Sequence, residues 1–253
     1  MPNKLNLPDA SLSEWDGVRC LHLDTPWVQG TMTIKTPFKI ELEYVQRMMA
    51  WLLFVPGTSV RERQALQLGL GAAAITKCCY KILGMRTSAI EINQKVITMC
   101  QQWFKLPPGN NRLQVVLADA AKEIKSARWL GVVDALAVDL YDHEAAAPVM
   151  DSVSFYADCR AVLTDDGIMT VNLFGRDNSY KASLEKIKQI FGANCVWTFK
   201  PTREGNTVVM AFRTAPDAQR DVLTQRAEAI ESRWELPAKK WLKLLSPVMT
   251  AST

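Results

Sequence analysis

From residue 63 to residue 213 the apolar positions alternate between short continuous runs and stretches of helical spacing. "ALQLGL" reads as a strand, and 73–83 as a helix ended by Gly84. "TSAIEI" is a strand, and the helical stretch 95–104 stops at "LPPGNN". "LQVVLAD" is a strand followed by the short helix "AAKEIKSA", and "VVDALAVDLYD" is a strongly apolar strand that ends in acids. Residues 152–163 read as a helix, "TDDG" as a turn, "IMTVNLF" as a strand and 179–191 as a helix. Such alternation predicts a parallel sheet with helices on both faces. "CVWTFK" and "TVVMAFR" are joined by "PTREGN", too short for a helix, so these two runs pair as an antiparallel hairpin.

Two segments flank this block. Before it, "VRCLHLDTPWVQGTMTI" reads as short strands with turns, and 40–54 as one helix with Leu42, Val45, Met49, Leu52 and Leu53 on one side. After it, 217–234 is a polar-rich helix and "LPAKKWLKLL" a basic amphipathic tail, either a packing arm or a dimer contact. The chain therefore divides into a small N-terminal β segment with a helix (1–60), a Rossmann-like nucleoside-binding domain (61–215) and a C-terminal helical extension (216–253). The expected fold is α/β, with a mostly parallel sheet ending in an antiparallel β-hairpin. That ending suggests the class I methyltransferase-like fold more than a dehydrogenase domain.

Composition narrows the function classes. The 253 residues are 48% hydrophobic and 22% charged, enough for one full-sized α/β domain with a small appendage. The net charge is +4, with no long Lys/Arg run and no aromatic-plus-basic stripe, so nucleic acid is not the expected partner. The longest apolar stretch, "MMAWLLFVP", is too short to span a bilayer, and the N-terminus lacks the apolar core of a signal peptide. A cytoplasmic protein without membrane contact is expected. The six cysteines form no CxxC and read as small buried hydrophobes. His22 and His143 give no metal-ligand spacing, so no metal is expected.

In an open α/β sheet, ligands bind outside the carboxyl ends of the strands. The first such end carries Gly69 and Gly71, the second Glu91, the third Asp119, and the fourth Asp139 and Asp142. The glycines permit a tight turn and close backbone approach to a ligand. Glu91 follows them at about twenty residues, the spacing of an acid that accepts from ribose hydroxyls; otherwise it is a solvated strand-end acid. Asp119 either accepts from an adenine amine or caps the helix "AAKEIKSA", and both roles are compatible. Asp139 and Asp142 are a pair that would attract a cationic substrate and take its proton, or else a capping acid and a surface acid.

These residues resemble the spermidine synthase (polyamine aminopropyltransferase) family, from about "TPWVQG" to "TVVMAF". "VQG" looks like that family's Gln-containing N-terminal strand, and "ELEYVQRMM" is similar to its E-x-x-Y-H/Q-E-M-M helix. "LGLG", "AIEIN", "LADA" and "VDLYD" match its glycine loop, ribose acid, adenine Asp and catalytic D-x-x-D. The resemblance implies that Asp139 deprotonates an attacking amine, with Asp142, Tyr44 and Gln29 lining the donor and amine pockets. Glu91 with Ile92, and Asp119 with Ala120, would hold the nucleoside. The implied donor is decarboxylated S-adenosylmethionine or S-adenosylmethionine and the acceptor a small-molecule amine, while the sequence leaves a homodimer open. There are departures. Ala72 stands where the family's loop has an Asp that grips the ammonium of the decarboxylated donor. Val45 and Gln46 replace the His/Gln and Glu after the Tyr, and "KPTREGNT" has no Tyr-Pro-x-Gly. Ala72 no longer repels a donor carboxylate, so methyl transfer from S-adenosylmethionine is the alternative, followed by nucleoside binding without turnover.

Overall fold

A computed structural model describes residues 7–140, 150–174 and 177–248. Strands β1 (Ala10–Trp15), β2 (Val18–Leu23) and β3 (Gly30–Thr33) form a small antiparallel sheet. Helix α1 (Glu43–Met48) leads into the main unit. There β4 (Gln64–Leu68), α2 (Ala74–Lys77), β5 (Arg86–Glu91), α3 (Gln94–Gln102), β6 (Leu113–Leu117), α4 (Ala120–Glu123), β7 (Val133–Val138), α5 (Val153–Val162), β8 (Leu163–Phe174) and α6 (Asp177–Phe191) alternate. The chain then runs through β9 (Val196–Phe199), β10 (Asn206–Phe212), α7 (Arg220–Trp234), α8 (Ala238–Leu244) and β11 (Leu245–Pro247).

The large sheet has eight strands in the order β11-β9-β10-β8-β7-β4-β5-β6. Strands β6, β5, β4, β7 and β8 run parallel, while β10 is antiparallel to both β8 and β9. The expected α/β fold with its antiparallel hairpin is thus present, as is the small antiparallel N-terminal sheet. From β4 the chain first builds outward to β5 and β6, then returns to place β7 on the other side of β4. The carboxyl ends of β4 and β7, paired last at Leu68–Val138, therefore flank the point where the order reverses and a crevice opens.

Four elements differ from the sequence expectation. The stretch 40–54 is not one helix: α1 stops at Met48 and Ala50–Phe54 tightens into a 3-10 turn. Ala50, Trp51, Leu52 and Leu53 are all buried, so packing on every side replaces the one-faced pattern of a surface helix. The helix after the glycines widens into a π-turn at Cys78–Ile82, where Leu83 N–H donates to the Cys78 carbonyl at 3.0 Å. This puts two buried side chains, Cys78 and Leu83, on the same side. "TDDG" lies inside β8, where pairing with β7 skips from Val133–Leu163 to Ala135–Ile168. The sheet also extends past the hairpin, since β11 pairs with the outer edge of β9. Three residues ending in Pro carry no strand signal; the open edge of β9 supplies it.

Two cores result. The larger lies between the sheet and its helices, with Phe54 edge-on to Trp197 and Phe212. The smaller joins Leu21 and Met32 of the N-terminal sheet to Leu70, Ala72 and Ala73 of the glycine loop and to Val96, Ile97 and Cys100 of α3. Five of the cysteines are buried, Cys20 is half-buried, and all are free thiols. No helix among the described residues is long and apolar enough to cross a membrane.

Gly69 holds the crevice together. Its φ is +83°, and a Cβ there would drive into the carbonyl oxygen of Asp139, closer than real Cβ atoms come. Gly131, at φ +67°, has nothing within 4 Å of the same position. Gly131→Ala should then cost only the left-handed strain, roughly 1–2 kcal/mol. Gly69→Ala should cost clearly more, lowering Tm by roughly 5 °C or further. Calorimetric melting of both variants checks this; equal losses would mean that the Asp139 contact carries no weight.

Candidate active site

The glycine loop is secured from beneath by a buried amide. Gln67, inside β4, donates through Nε2 to the Gly69 carbonyl at 2.6 Å. Its Oε1 accepts from the Thr76 amide at 3.0 Å and the Thr76 hydroxyl at 2.6 Å. Ala73 sits at the N-cap of α2 in the left-handed region, φ +59°, with no capping side chain. Gln67 supplies the missing cap from the neighbouring strand, satisfying an amide that the helix start leaves open.

Glu91 ends β5 almost fully buried. Its Oε2 accepts from the Leu70 amide at 2.8 Å and its Oε1 from the Asn93 amide at 2.9 Å. The carboxylate thus ties the glycine loop to the start of α3. Burial pushes its affinity for a proton up, and the backbone amides pull it back down. Asp119 caps α4, accepting from the Ala121 amide at 2.9 Å, with Ala120 buried just behind it. Between these acids Ile92 and Leu117 are exposed at 37% and 51%, a small apolar surface along the same sheet edge.

Asp139 follows β7 directly, and its amide donates to the Leu68 carbonyl at 3.0 Å. Asn172 Nδ2, from β8, donates to Asp139 Oδ1 at 3.0 Å. Tyr44, from α1, donates its hydroxyl to Oδ2 at 3.3 Å. Behind Asn172, Asn206 of β10 donates to Asn172 Oδ1 at 3.1 Å, and the Asn206 amide donates to the Thr202 hydroxyl at 3.2 Å. Desolvation raises the Asp139 pKa above the usual carboxylate range, while the donors Asn172 and Tyr44 act to lower it. The carboxyl group is therefore oriented by donors from two elements, α1 and β8.

A small pocket, partly open to solvent, lies in front of it. Gly71, Ala72 and Ala74 after β4, Gly30 and Thr31 of β3, Glu41 and Tyr44 at α1, and Asp139 after β7 line it. Gln29 sits beside the glycine loop: its amide donates to the Leu21 carbonyl at 2.8 Å, and its carbonyl lies 3.2 Å from where a Gly71 Cβ would be. Gly69, Gly71, Gln29, Tyr44 and Asp139 thus converge at the β4–β7 crevice, with Glu91 bound to the loop between the glycines. Asp119, Ala120 and Ile92 lie further along the same edge, at the ends of β5 and β6. Asp142 falls outside the described residues. Gln67, Asn172 and Asn206 were not anticipated from sequence. Their signal is a lone amide within or bordering an apolar run: "ALQLGL", "IMTVNLF" and "NTVVMAF". Among the described residues no group of three or more His, Cys, Asp or Glu is placed to hold a metal ion.

Known proteins share this architecture. A family model described as the spermine/spermidine synthase domain matches residues 61–221. A polyamine aminopropyltransferase from Neisseria meningitidis serogroup A is 31% identical over 243 residues, covering 95% of this chain and 90% of that protein. The crystal structure of a probable spermidine synthase from Corynebacterium glutamicum superposes with a TM-score of 0.72 at 15% identity, covering 96% of this chain and 94% of the other. Human methyltransferase-like protein 13 in complex with SAH superposes with a TM-score of 0.68 at 21% identity, covering 77% and 93%. With a family domain over more than half its length and a relative of that identity along nearly all of it, the chain belongs to the spermine/spermidine synthase family.

Proposed function

We propose that the chain is an aminopropyltransferase that uses decarboxylated S-adenosylmethionine to alkylate a polyamine nitrogen. The observation that carries this is Asp139: a desolvated carboxylate held by Asn172 and Tyr44 at the end of a pocket floored by the glycine loop. An alkylammonium is mostly protonated at neutral pH and cannot attack until it loses a proton. Asp139 accepts that proton, and burial makes it a stronger base than an exposed Asp. The amine nitrogen then forms a bond to the propyl carbon next to the sulfonium. The carbon–sulfur bond breaks, its electron pair returns to sulfur, and neutral methylthioadenosine leaves. The protein's part is to align the two reactants and hold the proton.

The nucleoside is read as lying across the ends of β4, β5 and β6. Glu91 uses a lone pair of Oε2 on the loop and one of Oε1 on the start of α3, and the remaining lone pairs are read as acceptors for ribose hydroxyls. Asp119 caps α4 through Oδ1, and Oδ2, with Lys122 4.0 Å away, is read as the acceptor for an adenine amine. Ile92 and Leu117 offer the ring an apolar surface. Methyl transfer from intact S-adenosylmethionine is the second reading, and Ala72 favours it because the loop has no acid to repel a donor carboxylate. Incubation with each donor plus putrescine or spermidine separates the two. Methylthioadenosine as product supports aminopropyl transfer, and S-adenosylhomocysteine supports methyl transfer.

Asp139→Asn should lower turnover on the amine by roughly a hundredfold to ten-thousandfold, measured as methylthioadenosine release. The melting temperature should behave differently. A carboxyl whose folded pKa is raised above the ordinary value of roughly 3.9 stabilises the fold most when protonated, and that contribution is lost as pH rises through the folded value. Asp139→Asn removes this ionisation, so the Tm of the variant relative to the parent should rise between acid and neutral pH. Unchanged turnover with a lower Tm at every pH would make Asp139 structural. Asn172→Ala removes a donor to the carboxylate, so the acid limb of kcat/KM should move to higher pH. An unmoved limb would separate Asn172 from the base.

A further inference from the structure

Helix α1 brings Tyr44 to Asp139, yet it is only six residues long and has no side-chain cap at its N-terminus. A helix of that length does not hold its own shape in water. Contacts with other elements must therefore set where its side chains point. Val45 and Met48 are buried, but apolar contact is non-directional and does not by itself fix the tilt of so short an element.

The directional contacts come from Arg47, one turn after Tyr44 and only 4% exposed. Its Nη2 donates to Glu43 Oε1 at 2.7 Å, its Nη1 donates to the Lys200 carbonyl, and its Cζ lies 5.4 Å from the centre of the Phe199 ring. The C-terminal extension holds each of these partners in turn. Lys240 of α8 pairs with the same Glu43 oxygen at 2.8 Å. The Lys200 amide donates at 3.1 Å to the carbonyl of Leu244, the last residue of α8, and Phe199 pairs with Leu245 of β11. Trp241 is buried in the larger core, so α8 is itself firmly seated. A planar guanidinium with fixed acceptors sets direction in a way that buried apolar side chains do not.

We infer that Arg47 is a positioning residue: it ties α1 to the C-terminal helix α8 and thereby aims the Tyr44 hydroxyl at Asp139 Oδ2. The inference deepens the aminopropyltransferase reading and rests on it. Among the described residues, Glu41 and Tyr44 are the titratable side chains that line the pocket with Asp139. Arg47 does not line it, so its effect on the acid runs through Tyr44.

The test is Arg47→Met in the full chain, read by the Asp139 carboxyl titration in carbon-13 NMR, with Tyr44→Phe as the reference and Asp139→Asn to assign the signal. The Tyr44 hydroxyl favours the ionised carboxylate, so losing it should move the titration to higher pH. Arg47→Met should move it the same way and should add nothing in the Tyr44→Phe background. Its kcat for methylthioadenosine release should fall by roughly tenfold to a hundredfold, since misalignment from a distant residue is costly. Should Arg47→Met fail to fold, Glu43→Ala, at the half-buried end of the same contacts, replaces it. Removing that negative charge would by itself move the Asp139 titration to lower pH, so an upward move reports the lost aim of Tyr44. An unmoved titration with only a lower Tm, or an Arg47→Met shift that persists undiminished without the Tyr44 hydroxyl, overturns the inference. For Glu43→Ala, an unmoved or downward titration does the same. A parent protein that releases no methylthioadenosine sinks the aminopropyltransferase reading alone, because the carboxyl titration needs no turnover.

Discussion

The site depends on one steric constraint: the backbone of β4 meets the backbone of β7 at Gly69 and Asp139, closer than any side chain allows. That contact sits where the strand order reverses. It brings the glycine loop next to Asp139. The Asp139 amide, donating to the Leu68 carbonyl, then locks the two strand ends together, and Gln67 secures the glycine loop from beneath. A loop with free movement would lose the alignment on which displacement at carbon depends.

Two buried carboxylates, Glu91 and Asp139, are both pushed toward the protonated form by desolvation, yet they are used differently. Glu91 accepts from two backbone amides and so is part of the scaffold. Asp139 is held by side chains from one strand and a helix, Asn172 of β8 and Tyr44 of α1, and it lines the pocket. The Asn206–Asn172 pair behind it fixes which end of the Asn172 amide faces the acid, since Oδ1 is occupied by Asn206. A hydrogen-bonded network of this kind specifies one arrangement at low dielectric.

The N-terminal sheet accounts for the run of alanines after the glycines. Leu21 and Met32 pack onto Ala72 and Ala73, and Gly30 lies directly over Ala72. Small residues there let the sheet sit down on the loop and close one side of the pocket. The same packing removes charge from the floor and leaves the acids of the cavity on the α1 wall and at the end of β7.

Much of this was legible in the chain itself. Alternating apolar runs, the short link between the last two long strands, and a carboxylate after each of three strands together determined an α/β sheet with a chemistry-bearing edge. Those signals are local: they depend on residue spacing and on the direction that a parallel sheet imposes. What tertiary structure decided was non-local. Gln67, Asn172 and Asn206 are single polar residues whose roles exist only when β4, β7, β8 and β10 lie side by side. The π-turn and the broken helix at Met49 arise where packing on several sides overrides a one-faced pattern. β11 exists because β9 left an edge to pair with.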